Sequence, residues 1–223
     1  MSLESLDALA TAALLSCRQA VMASQSASIP GFPFTSVIPL AVTHTGKITI
    51  LISDIAQHTR NLTMDNRVSI LLHDDTASSW QAASRLLVIG HMKPVLDESA
   101  FPAFREIFYL QHPELTGFDQ ELDFHFWQLE PIRFRLVAGF GTIKWIDTID
   151  PHLFSLSPED MSQIQEILHF QHGYARLMRL SAFGLQIMQQ GHIQFLEFEQ
   201  AVTSPQEALE VIKSGKFRDP LML

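Results

Sequence analysis

The chain has 223 residues and a mass of 25.1 kDa, room for one compact unit with an appendage or two small domains but not for a large multidomain enzyme. Hydrophobic residues make up 47% and charged residues 17% of it, with a mean hydropathy of +0.13, which suits a packed core and excludes global disorder. The 24 acidic and 15 basic residues leave a formal charge of -9; this repels a phosphate backbone, no local basic patch offsets it, and nucleic acid is not an expected partner.

The predicted elements begin with a helix. Leu3, Leu6, Ala10, Leu14, Cys17 and Val21 recur in steps of three and four, so the spacing predicts a helix over residues 3–23. Cys17 is the single cysteine; it excludes an internal disulfide and a cysteine-based zinc site, points to a reducing compartment, and on the helix stripe reads as a small core residue. The most apolar N-terminal stretch, residues 9–15, is bracketed by Asp7 and Arg18. Neither a signal peptide nor a membrane span is expected, and the cytoplasm is the expected location.

Turn formers fill residues 28–33, and Ser36, Ile38, Leu40 and Val42 then alternate as in a strand. A turn at residues 44–47 joins this to Ile48, Ile50 and Ile52, the second arm of a hairpin. Residues 56–65 read as a short helix, 67–73 and 85–95 as strands, 99–110 as a helix stopped by His112-Pro113, and 123–130 and 133–146 as two long strands. Sequential strands with short connections predict an antiparallel sheet closing into a barrel, because parallel strands would need a crossover at every step. Residues 1–148 are expected to form this domain. Residues 149–223 are expected to form a helix-hairpin-helix module: a capped helix from Ser157 through about Leu180, strands at 182–188 and 192–198, and a helix at 204–212.

Chemistry is sparse. Ten histidines stand out, and most stand alone. His169 and His172 share a helical face, but further ligands for zinc are lacking. Asp123 and His125 lie two apart on a strand, where a carboxylate could orient an imidazole or both could be an exposed polar face. Gly139-Phe140-Gly141 within an apolar strand marks a bulge, a bend or a close backbone approach. The richest candidate is residues 53–61, where Ser53, His58, Thr59, Arg60 and Asn61 gather hydroxyls, imidazole, guanidinium and amide at a strand-to-helix junction. Such a group reads either as a site for a phosphate or carboxylate or as a well-capped helix.

Gly31-Phe32-Pro33 with Ser36, Ser53 with residues 58–62, Arg67 to Leu72, Arg85-Leu86 before Gly90, His112-Pro113, Asp123-Phe124 and residues 137–141 follow one another at a spacing that resembles the pyridoxamine-phosphate-oxidase-like FMN-binding split barrels. More narrowly they resemble the haem-utilisation branch, the HugZ type, and the segment around Gly184, Gly191 and Phe195 is similar to that branch's C-terminal module. The resemblance implies an α+β fold: a six-stranded antiparallel split β-barrel with an N-terminal helix and a small C-terminal α/β module, paired as a homodimer around a shared cleft for haem or FMN. It places His58 where flavin-binding members carry a basic phosphate contact, and Ser36 near a position where they carry arginine. The family's C-terminal histidine pattern is represented only by His169-Phe170-Gln171-His172.

Three functions are carried forward. A haem-binding protein of haem utilisation, degrading haem oxidatively if it is an enzyme, would use an imidazole on iron, with His125, His172 and His192 as candidate ligands, and Arg60, Arg67 or Arg85 on a propionate. A flavin-dependent oxidoreductase would hold FMN. A degenerate split barrel would bind a small ligand without turnover.

Overall fold

The computed structural model describes residues 3–73, 84–138 and 142–218; the Gly139-Phe140-Gly141 motif lies outside them. The chain forms two compact units, one of residues 17–148, the other of residues 1–16 with 149–223. The first helix, α1 (Leu3–Ser16), expected within the barrel domain, thus belongs to the unit built by the C-terminal segment.

In the larger unit, β1 (Gln19–Gln25), β2 (Pro33–Val42), β3 (Ile48–Ser53), β4 (Arg67–His73), β5 (Arg85–Pro94) and β6 (Phe124–Ala138) pair antiparallel in the order β3-β2-β1-β4-β5-β6. Pairing of β3 with β6 closes the cylinder, and β7 (Thr142–Ile146) extends from β6 as an additional strand. The α+β barrel expected from the strand pattern is present. Its interior is the alternating apolar set Met22, Ile38, Leu40, Ile70, Leu72, Leu86 and Val88, each at 0% exposure, as a closed sheet of this size requires to fill its middle with side chains.

Two expected boundaries differ. The helical stripe does not run on to Ala23: Cys17 and Val21 continue its spacing by coincidence, whereas Ala20, Met22 and Ser24 alternate into the barrel as β1. Nor are residues 123–146 two strands broken at Pro131. β6 runs through the proline because β5 shifts register between Ile89 and Gly90, opposite Pro131, a bulge that absorbs the missing N–H. Gly90 permits this, for a Cβ there would lie 2.3 Å from the Glu130 carbonyl oxygen.

β3 is buried on both faces, since its outer side is roofed by α3 (Phe101–Gln111). Phe104, Ile107 and Phe108 of α3 pack on Leu51, Ala41 and Phe126. α2 (Gln57–Met64) connects β3 to β4. α4 (Phe118–Glu121) is fastened to α3 by the nearly buried Asp119 carboxylate, which accepts from Arg105 Nε at 2.7 Å and from the Tyr109 hydroxyl.

In the smaller unit α5 (Pro158–His172) starts at the Ser157 capping box. It stops at Gly173, whose φ of 64° suits glycine, and does not reach Leu180. Residues beyond form β8 (Arg176–Ser181), which joins β9 (Gly184–Gln189) and β10 (His192–Glu197) in a sheet of order β10-β9-β8. α6 (Pro205–Ser214), capped by Ser204, closes a core of Ile164, Leu168, Leu177, Ile187, Phe198 and Ile212. Gln186 of β9 donates through Nε2 to the Leu15 carbonyl of α1 at 2.6 Å. No helix among the described residues is long and apolar enough to cross a membrane.

Candidate functional site

Residues 53–61 divide into structural and free groups. The Thr59 hydroxyl donates back to the Ser53 carbonyl at 2.6 Å, closing the turn into α2. Asn61, at 0% exposure, accepts at Oδ1 from the Ala27 N–H (2.9 Å) and from Gln57 Nε2 (3.0 Å), and its Nδ2 donates to Ser24 Oγ at 3.0 Å. Thr59 and Asn61 therefore pin α2 to β1 and its following loop. Ser53 Oγ donates to Asp123 Oδ2 at 3.0 Å. Arg60 is exposed. His58 is half-buried with Nε2 lacking any hydrogen-bond partner, and burial pushes its pKa down.

The histidines singled out as iron ligands fall in different places. His125 lies in the barrel unit, its Nε2 3.1 Å from Asp54 Oδ2; of the two readings of Asp123 and His125, the exposed polar face fits, since both are solvent-facing and Asp123 bonds Ser53. His172 and His192 belong to the smaller unit. The His172 ring meets Phe217 edge-on at 6.1 Å, the His169 ring meets Tyr174 at 5.2 Å, and His192 is exposed at the start of β10. Among the described residues no group of three or more His, Cys, Asp and Glu could hold a bare metal ion. Arg85 opens β5 opposite His73 and Val137, its Nε buried without a partner.

On the barrel's outer face the register builds something the sequence reading missed. Val37, Val21, Leu71 and Leu87 stand opposite one another across β2, β1, β4 and β5, followed by the row Thr35, Ala23, Ser69 and Ile89. Beyond this apolar field the next row is polar, with Arg67 opposite His91 and His91 opposite Glu130. A cleft of about 720 Å³ opens here, lined among others by Leu62, Asn66, Arg67, His91, Met92 and Trp127, a size typical of small-molecule sites. A smaller hollow of about 270 Å³, with Gln25 and Ser69, lies on the other side of Arg67. Arg67 Nε donates to Asp65 at 2.9 Å; this hydrogen bond and charge pull the Asp65 carboxyl down to about 2. His91 Nδ1 lies 2.9 Å from Asn66 Oδ1. The alternation of β5 marks His91 as an outward position, but its place across from Arg67 comes only from the strand register.

The barrel's histidines also set a pH dependence. His112 is 3% exposed, its Nε2 donating to the Leu40 carbonyl at 2.9 Å, and burial pushes its pKa down, as it does for His58. Both imidazoles stay neutral in the folded state below the pH, about 6.5, at which the unfolded chain takes up its protons. The unfolded state then binds more protons, so barrel stability is expected to fall as pH drops from about 7.5 to about 5. Trp127 and Trp145 lie in the barrel unit and residues 149–223 contain no tryptophan, so the urea midpoint by tryptophan fluorescence reports the barrel, and His112→Gln should flatten the slope. A midpoint independent of pH across that interval contradicts the assignment.

The chain's three-dimensional similarities agree with this architecture. It resembles the heme binding protein from Mycobacterium smegmatis at 19% identity, over 97% of this chain and 99% of that one, with a TM-score of 0.62. It resembles Atu2129 from Agrobacterium tumefaciens, a protein of unknown function, at 15% identity over 94% of each chain, TM-score 0.67. It also resembles Campylobacter jejuni ChuZ at 23% identity, over 70% of this chain and 68% of that one, TM-score 0.58. Identities this low establish the fold. Among curated proteins there is no significant sequence match. Residues 7–154, most of the chain, match the family described as CREG, beta-barrel. With its barrel sequence matched and its strands closed in split-barrel order, the chain belongs to the CREG β-barrel family.

Proposed function

We propose that the protein binds haem in the cleft beside Arg67 and His91, as a homodimer serving haem utilisation. The observation that carries this reading is the lining of the cleft. Met64, 74% exposed, and Pro94 offer apolar surface to a flat macrocycle over a floor of buried Leu62, Met92 and Trp127, Arg67 offers a guanidinium to a propionate, and His91 offers an imidazole. With a net charge of -9 the chain exerts no long-range pull on an anionic ring, so binding must come from such local groups. Similarity to a heme binding protein over nearly the whole chain supports the same reading. When bound, haem supplies a redox-active iron; the chain's own residues orient the ring, hold its carboxylates and exclude water from its faces.

The flavin reading is less well supported. FMN needs a fixed cation at its phosphate, and His58, which stands where the resemblance places that contact, is held neutral by its burial. The dimer is supported by the outward row Val37, Val21, Leu71 and Leu87, with Val37 67% exposed, an apolar field that a second copy would cover.

The test is a hemin titration of the purified full-length chain beside an FMN titration, with sedimentation of the same sample. Expected are a saturable Soret band, no flavin retained after gel filtration, and a dimer mass. Flavin that copurifies, together with hemin that fails to bind, overturns the proposal.

A further inference from the structure

We infer that His91 is the iron ligand of this cleft and that Asn66 is its positioning residue; the inference rests on the haem reading above. An imidazole serves as a ligand when one ring nitrogen is fixed as a donor and the other presents its lone pair. His91 meets this condition. Its Nδ1–H donates to Asn66 Oδ1 at 2.9 Å, which leaves the lone pair on Nε2 of a residue that lines the cleft. Asn66 is itself held, because its carbonyl accepts the Met92 N–H at 2.8 Å. The second shell is thus tied to the same strand that carries the ligand, one residue beyond it.

Three other histidines of the barrel unit are placed elsewhere. His125, bonded through Nε2 to Asp54, does not line the cleft, His112 Nε2 is on the Leu40 carbonyl inside the fold, and His58 Nε2 is enclosed. Arg67 stands directly opposite His91 across β4 and β5. A ring ligated at His91 therefore brings its edge within the reach of a guanidinium that is 71% exposed and paired with Asp65. Imidazole, guanidinium and the exposed Met64 side chain in one cleft make a set for a flat, iron-bearing dicarboxylate.

The experiment is hemin binding by the full-length protein and by His91→Ala, Asn66→Leu and Asn66→Asp, read by the Soret band, electron paramagnetic resonance and affinity, with melting curves for each variant. His91→Ala should lose the histidine-ligated spectrum and bind more than tenfold more weakly, and added imidazole should restore the spectrum even if the variant melts earlier. Asn66→Leu should weaken binding roughly tenfold, and Asn66→Asp, which keeps the acceptor, should rescue it. His125→Ala, His172→Ala and His192→Ala should leave the spectrum unchanged. If the wild type binds hemin and His91→Ala keeps its spectrum, the ligand assignment falls and the haem reading stands; if the wild type shows no Soret change, both fall.

Discussion

Gly90→Val is expected to destabilise the barrel by about 3 kcal/mol, the upper range for overpacking, a drop of roughly 6–12 °C in its melting temperature. The reason is geometric. At the bulge between Ile89 and Gly90 the partner strand carries Pro131, and the Glu130 carbonyl comes so near that a Cβ on Gly90 would sit 2.3 Å from its oxygen and 3.0 Å from the Pro131 Cα. The obstacle is backbone, which cannot rotate aside as a side chain can. Gly90→Ala should therefore be nearly as harmful as Gly90→Val, whereas Ile89→Val, which adds nothing to the crowded side, should stay close to wild type. Thermal melts followed by tryptophan fluorescence check this; a Gly90→Ala protein that melts with the wild type removes the close approach from the account of how β6 passes its proline.

Asn61→Leu should cost about 3 kcal/mol, because it strands the Ala27 N–H and the buried Ser24 hydroxyl together, each unsatisfied group costing about 1–3 kcal/mol. The expected loss is of stability alone. Asn61 uses its amide on β1, on the loop after it and on Gln57, so hemin affinity measured well below the melting temperature should match the wild type. A variant of wild-type stability with lost ligand binding would return Asn61 to the list of ligand contacts.

The barrel was legible in the sequence wherever alternation ran without competition, as in residues 36–53, 67–73 and 85–95. It was hidden in two places. β1 continues the three-and-four spacing of α1 through Cys17 and Val21, and a periodicity count cannot choose between a helix and a strand when both fit. β8 follows α5 across Gly173, whose positive φ ends the helix; the glycine was the available stop signal. The site was less legible still. Residues 53–61 have the composition of an anion site, yet Thr59 and Asn61 turn their polar atoms inward. His91 and Arg67 are 24 residues apart, and their adjacency is a product of strand register, which composition does not reveal.

Because α1 is built into the same unit as residues 149–223, it is synthesised well before the segment it packs with. The amide of Gln186 that grips Leu15 lies 171 residues downstream. At roughly 5–20 residues per second it arrives on the order of 10–30 s later, long after the barrel strands have been made. In that interval Ala10, Leu14 and Leu15, buried in the finished protein, have no permanent partner, and nascent chains at this stage are the ones a chaperone would be called on to shield.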